Sequence, residues 1–183
     1  MQPLSPMRVM VVDDQQLMRD GISSLLSIQE GIEVVSTAAD GKQAIDQALG
    51  LQPDVVLMDV RMPGMDGIAA TEHIRRQLPN CQVLMLTTFD DEEYIVKALL
   101  AGASGYLLKD IPTQELAQAV RLAYNGIFQL SSTAIGKLVD EELFRLPGKP
   151  ERDDSFLSNL TEREIEILDL IATGATNKEI ADQ

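Results

Sequence analysis

Along the first 125 residues, short apolar runs alternate with longer stretches in which apolar side chains return every three or four positions. The runs at 7–12, 32–38, 54–58, 82–87 and 105–108 predict strands. Between them, Met18/Ile22/Leu25/Leu26, Ala44/Ile45/Ala48/Leu49, Ala70/Ile74/Leu78 and Tyr94/Ile95/Ala98/Leu99 keep helical spacing, and Leu116/Ala119/Val120/Ala123 continues it after the last run. Turn signals fall at the changes of period: Gly31, Asp40-Gly41, Gln52-Pro53, Met62-Pro63-Gly64, Pro79-Asn80 and Gly102. Five strand–helix units in succession predict an α/β fold, a doubly wound parallel sheet with helices on both faces and right-handed crossovers.

Carboxylates stand where these strands end. Asp13 and Asp14 follow Val9-Met10-Val11-Val12, and Asp59 follows Val55-Val56-Leu57-Met58. In open parallel sheets ligands bind beyond the carboxyl ends of the strands, where strand order reverses. In the flavodoxin-like (βα)5 order 2-1-3-4-5 that point lies between strands one and three, the two that carry these acids. Like charges so close repel, which pushes the least solvated carboxyl toward protonation unless a cation intervenes, and hard oxygen ligands suit Mg2+. The fourth strand closes with Leu86-Thr87-Thr88, offering a hydroxyl, and the fifth with Tyr106-Leu107-Leu108-Lys109, offering an ammonium. Three acids, a metal, a hydroxyl and a lysine compose a phosphoryl-transfer site, where catalysis is mostly positioning and charge neutralisation.

Composition narrows the setting. A chain of 183 residues, 45% apolar, is long enough for one full domain and a smaller unit. The net charge of −14 disfavours nonspecific attraction to nucleic acid or an anionic membrane. Cys81, the single cysteine, has no internal disulfide partner, and no stretch reaches the roughly 20 apolar residues that span a bilayer, so a soluble, cytoplasmic protein is expected, with no membrane partner. Cys81 reads as a buried apolar filler and His73 as a solvated residue rather than a ligand. The run Asp90-Asp91-Glu92-Glu93 suits a helix N-terminus, its charge meeting the dipole.

With Asp13-Asp14 after the first strand, the block Met58-Asp59-Val60-Arg61-Met62-Pro63-Gly64-Met65-Asp66-Gly67, and then Thr87, Tyr106 and Lys109, residues 7 to 125 resemble the receiver domain of two-component response regulators. The resemblance implies that Asp59 accepts a phosphoryl group from a sensor histidine kinase. It implies Mg2+ held by Asp14 and Asp59 directly, by Asp13 through water and by the backbone carbonyl of Arg61. Lys109 and Thr87 would contact phosphoryl oxygens, and Tyr106 would change rotamer as Thr87 moves. Arg61 and Phe89 would flank the site and govern water access. One departure is local: many receivers carry proline directly after the lysine, whereas here Asp110 follows Lys109 and proline arrives at Pro112.

Farther on, Ala134/Ile135/Leu138/Val139 suggests a helix, and 146–154 is a polar, proline-bearing linker. Asn159-Leu160-Thr161-Glu162-Arg163-Glu164 places Thr161 and Glu164 as a capping box ahead of Ile165, Leu168 and Ile171. With Asn177-Lys178-Glu179-Ile180-Ala181 this segment resembles the opening of the LuxR-type helix-turn-helix of NarL/FixJ regulators. The expected organisation is an N-terminal extension at 1–6, a receiver domain at 7–128, a helix and linker at 129–158, and at 159–183 the start of a LuxR-type domain, an all-α fragment that stops before the base-reading helix. Residues 159–183 hold two basic residues against six acidic ones, so DNA is an expected partner of a longer parent protein and not of this chain.

The reading that follows is a phosphorylation-activated regulator of transcription, a phosphoacceptor switch rather than an enzyme with turnover, forming a homodimer on phosphorylation. The alternatives are a free-standing phosphorelay receiver or adaptor working through protein contacts, and a phosphatase of the haloacid dehalogenase type. The last needs Asp-x-Asp after its first strand, where this chain has Asp13-Asp14-Gln15-Gln16.

Overall fold

A computed structural model of the chain describes residues 5–88, 92–131 and 135. Among them the elements run β1 (Met7–Val12), α1 (Gln16–Ser27), β2 (Ile32–Ala38), α2 (Gly41–Leu51), β3 (Val55–Met58), α3 (Gly67–Gln77), β4 (Gln82–Thr87), α4 (Glu92–Leu100), β5 (Gly105–Leu108), α5 (Thr113–Tyr124) and β6 (Gln129–Leu130). The strands form one sheet, in the order β2-β1-β3-β4-β5-β6, and every pairing is parallel. The expected flavodoxin-like order is therefore present, with one strand added at its edge.

The uninterrupted apolar character of the strands has a direct cause. Met10, Val12, Val56, Met58, Val83 and Met85 pack on the face covered by α2, α3 and α4, while Val9, Val11, Val55, Leu57, Leu84 and Leu86 pack on the face of α1 and α5. Alternation puts neighbouring side chains on opposite faces, and both faces are covered, so both sets are apolar. Each helix contributes one stripe: Ile22 and Leu26 from α1, Ala44 and Ala48 from α2, Ala70 and Ile74 from α3, Ile95 and Ala98 from α4, and Leu116, Val120 and Ala123 from α5.

The edge strand β6 has no counterpart in the periodicity, because two residues carry no period. It forms because α5 is followed by Gly126, whose left-handed backbone (φ 75°) turns the chain back along β5. Gly105 and Tyr106 then pair with Gln129 and Leu130, and the Gln129 side chain donates to the Ala119 carbonyl at 2.6 Å. The helix suggested around Ala134 to Val139 is described only at Ile135, which is helical and exposed. Phe89, Asp90, Asp91, the 146–154 linker and the LuxR-like segment lie outside the described residues. No peptide bond is cis among the described residues, so the chain passes from Lys109 to Asp110 through a trans bond.

Two aspartates serve as helix caps. Asp40 accepts from the Gln43 N–H and Asp66 from the Ala69 N–H, both at 2.8 Å. At the start of α3, the Gly67 N–H donates to the Val60 carbonyl at 2.9 Å, and a Cβ on Gly67 would lie 1.8 Å from the Asp59 carbonyl oxygen. Only glycine lets α3 begin against the chain leaving β3. Gly50, also helical, has nothing within 4 Å of the corresponding position. Gly67→Ala is therefore expected to lower stability by about 1–3 kcal/mol through overpacking. Gly50→Ala is expected to raise stability by roughly 0.5–1 kcal/mol through backbone entropy and helix propensity. Urea unfolding of the two variants tests this, and effects of the same sign would refute the close approach.

Candidate functional site

Register brings the acids together. Val12 of β1 lies opposite Met58 of β3, so the next residues, Asp13 and Asp59, emerge side by side from the carboxyl end of the sheet. The Asp59 N–H donates to the Val12 carbonyl at 2.9 Å and the Asp13 N–H to the Ala38 carbonyl at 3.1 Å, carrying the ladder one step past the strands. Likewise Thr87 faces Leu108, and the Lys109 N–H bonds the Thr87 carbonyl at 2.8 Å. Three short strands thus place Lys109 within reach of both acids.

Its ammonium bridges them. Lys109 Nζ lies 2.7 Å from Asp13 Oδ2 and 2.8 Å from Asp59 Oδ2. The remaining oxygens are held by backbone: Asp13 Oδ1 accepts from the Gln15 N–H at 2.9 Å and Asp59 Oδ1 from the Val60 N–H at 2.8 Å. Asp13 and Asp59 are 1% and 5% exposed, whereas Asp14 is open to solvent. One oxygen from each of the three carboxylates falls within 4.8 Å of the others. None of the three serves as a side-chain cap like those of Asp40 and Asp66: Gln15 occupies the capping position of α1, and Asp66 caps α3.

Charge is strained here. Burial raises the Asp59 carboxyl above its ordinary 3.8; the Lys109 bond and charge pull it down without cancelling that rise, and the Asp13 charge adds to it. Burial alone would lower Lys109, but its bonds to Asp13 and Asp59 and their charges prevail, and its ammonium is held above the ordinary lysine range. One buried cation faces two buried anions, with a third anion at the rim. The hard oxygen donors and the uncompensated negative charge fit a divalent cation.

The other predicted residues divide. Thr87 is fully buried at the end of β4, on the same edge as the cluster. Tyr106 is fully buried in β5 opposite Met85, within the core beneath α2, α3 and α4 rather than in the acidic cluster. Arg61 is exposed, two residues after Asp59. Thr88 and His73 are exposed, and Cys81 is buried at the opposite end of the sheet, its thiol pushed up to about 12 by burial, which leaves it unreactive. The sequence pattern did not single out Arg19, whose Nη1 donates to the Asp13 carbonyl at 2.6 Å and reaches the Asp14 carbonyl at 3.5 Å. Its only signal was a basic residue in the first turn of the helix after the acids.

Residues 9–121 match the response regulator receiver domain, and residues 158–183 match the luxR family of bacterial regulatory proteins. The transcriptional regulatory protein LnrK of Bacillus subtilis is 39% identical over 180 residues, covering 96% of this chain and 81% of LnrK. The oxygen regulatory protein NreC of Staphylococcus carnosus is 40% identical over 178 residues, covering 97% and 82%. Among solved structures, a LuxR-family two-component response regulator from Aurantimonas superposes with a TM-score of 0.71 at 34% identity, covering 76% of this chain and 99% of that one. No helix among the described residues is long and apolar enough to cross a membrane. With the receiver fold, its acidic cluster and a luxR-family segment in one chain, the protein belongs to the transcriptional response regulators of the NarL/LuxR family.

Proposed function

We propose that Asp59 is the phosphoacceptor and that its phosphorylation by a sensor histidine kinase switches the regulator. The observation that carries this reading is the buried Asp59 carboxylate, bonded to Lys109 and flanked by Asp13 and Asp14. An Asp59 oxygen attacks phosphorus, the P–N bond to the donor imidazole breaks, and the electron pair leaves with that nitrogen, giving an acyl phosphate. Water later attacks phosphorus, the P–O bond to Asp59 breaks with its electron pair returning to the carboxylate, and inorganic phosphate leaves, so the protein catalyses its own modification and its reversal. Asp13, Asp14 and Asp59, with the Arg61 backbone carbonyl, would hold Mg2+, which when bound offsets negative charge on the oxygens of the transferring group.

The remaining residues act as charge and hydrogen-bond partners. Lys109 exchanges its Asp59 contact for a phosphoryl oxygen, which its raised pKa keeps it charged to do. Thr87, at the adjoining strand end, supplies a hydroxyl to another oxygen. Tyr106 lies in the core with Ile95 and Ala98 of α4, so a shift at Thr87 is passed to that helix as a change in packing. The result is a population shift of the α4–β5 face that favours a homodimer. The chain divides into an N-terminal extension at 1–6, a receiver at 7–128, a helix and linker at 129–158 and a LuxR-type segment at 159–183, and the regulator acts on transcription in the cytoplasm. The luxR-family match favours this over a free-standing adaptor. A phosphatase of the haloacid dehalogenase type needs Asp-x-Asp after its first strand, and here Asp13-Asp14-Gln15-Gln16 stands there.

The donor has an evident approach. Beside Lys109 runs an apolar cleft between α1 and α5, lined by Leu17, Met18, Gly21, Ile111 and Leu116, and Leu17 is 85% exposed at its mouth. A helical phosphodonor domain seated there would bring its phosphohistidine to the cluster.

Incubation with a small phosphodonor and Mg2+ should give one acid-stable, base-labile acyl phosphate, absent from Asp59→Asn, and light scattering should show the modified chain doubling in mass. Label on the variant would move the site, and an unchanged mass would remove the dimer. Leu17→Asp should slow transfer from the kinase by about tenfold, the effect of about 1.4 kcal/mol at an interface. The same variant should leave small-donor labelling unaltered; equal losses from both donors would place the defect in the site itself.

Stability should follow the Asp59 charge. Because folding raises its pKa, the protonated form favours the fold below the ordinary 3.8, and that contribution is lost as pH rises through the folded-state value. Asp59→Asn should therefore be the more stable protein at pH 7, the difference closing as pH falls below 3.8. Mg2+ should stabilise the wild type more than the variant. Melting temperatures across pH, with and without Mg2+, decide it; a less stable variant at pH 7 would show that the Lys109 pair outweighs desolvation.

A further inference from the structure

Two of the three acids sit on the turn between β1 and α1, and they are held differently. Asp13 is pinned at both carboxylate oxygens, by the Gln15 N–H and by Lys109. Asp14 is exposed and, among the described residues, its carboxylate carries neither kind of bond, so the path of the backbone determines where that carboxylate can reach. Asp14 nevertheless belongs to the cluster, with an oxygen within 4.8 Å of the other two.

That backbone is gripped from α1. The Arg19 N–H bonds the Gln15 carbonyl at 3.0 Å within the first helical turn, which aims its side chain back over the strand end. There Nη1 donates to the Asp13 carbonyl at 2.6 Å and extends to the Asp14 carbonyl at 3.5 Å, the limit of hydrogen-bond reach. These carbonyls belong to the two peptide planes on either side of the Asp14 Cα. One terminal nitrogen thus reaches both carbonyls, which takes the full length of the arginine stem and the planar, permanently charged head that fixes that nitrogen.

We propose that Arg19 is a positioning residue for the acidic cluster, holding the Asp13–Asp14 turn so that the Asp14 carboxylate joins Asp13 and Asp59 around a divalent cation. This rests on the Mg2+ site proposed above. Electrostatics alone predicts the opposite sign, since a guanidinium beside a cation site repels the cation and its removal would tighten binding. The sign of the effect therefore separates positioning from charge.

The test is direct Mg2+ titration of the full chain by calorimetry, without phosphodonor, for wild type, Arg19→Met and Arg19→Lys. Methionine keeps an apolar stem without charge; lysine keeps the charge on a shorter side chain without the planar head. Arg19→Met is expected to weaken Mg2+ binding by about fivefold, the scale of one ordering hydrogen bond, and Arg19→Lys by a comparable factor. At saturating Mg2+ the labelling rate with a small phosphodonor should return to within about twofold of wild type, because the loss lies in binding and not in the transfer step. A merely structural role would lower thermal stability and leave Mg2+ affinity of the folded protein unchanged, which overturns the proposal, as does tighter binding. If Arg19→Met does not fold, Arg19→Lys is read alone by the same criterion. Wild type that binds no Mg2+ removes the metal reading itself, a result distinct from equal binding by all three proteins.

Discussion

The structure turns on one ammonium between two buried carboxylates. Lys109 lies within 2.8 Å of both Asp13 and Asp59, at the carboxyl end of the sheet, where neither acid can retreat into water. Such a triad is not a device for stability. The cost of desolvating each ion is several kcal/mol, comparable with what pairing returns, and two anions against one cation leave the sum unfavourable. The raised pKa of Asp59 records that imbalance. Natural proteins keep arrangements of this kind where a site has work to do, and here the excess negative charge suits the capture of a cation.

Parallel pairing makes the triad possible. The residues that follow β1, β3 and β5 are separated by 46 and 50 positions along the chain, yet register fixes them as neighbours, since each strand ends one residue before its functional group. A slip of one residue in any of these strands would send the carboxylate or the ammonium to the wrong face. The apolar packing of both sheet faces, with Val9 to Val12 and Val55 to Met58 almost wholly buried, enforces that register. Site geometry is thus a consequence of core packing, and Gly67 adds the local condition that α3 start hard against Asp59.

Much of this was legible in the chain because it rests on period and on the positions where periods change. All five predicted strands occur within one residue of their expected limits, and Asp13, Asp14, Asp59 and Lys109 meet as their strand ends imply. What escaped has no period. The two-residue β6 depends on a left-handed Gly126 after α5. Arg19 escaped for another reason: its partners are backbone carbonyls, which look alike in every sequence. Side chains that grip backbone leave no complementary residue to be read.

That distinction bears on how a signal can leave the site. Asp59 and Lys109 are joined to each other by side chains but to the rest of the sheet by main chain, through the Val12 and Thr87 carbonyls. A group added to Asp59 alters the first kind of bond and leaves the second, so the strands stay in place while the charges on them rearrange. In the proposed switch, movement then passes to the β5 side of the sheet, where Tyr106 shares a core cluster with Ile95 and Ala98 of α4 and β6 is held by two residue pairs. The stiffness of the central strands localises the response to that side of the fold. The proposed switch needs both a rigid register, to place the phosphoryl group, and a bistable margin, to let its arrival be felt.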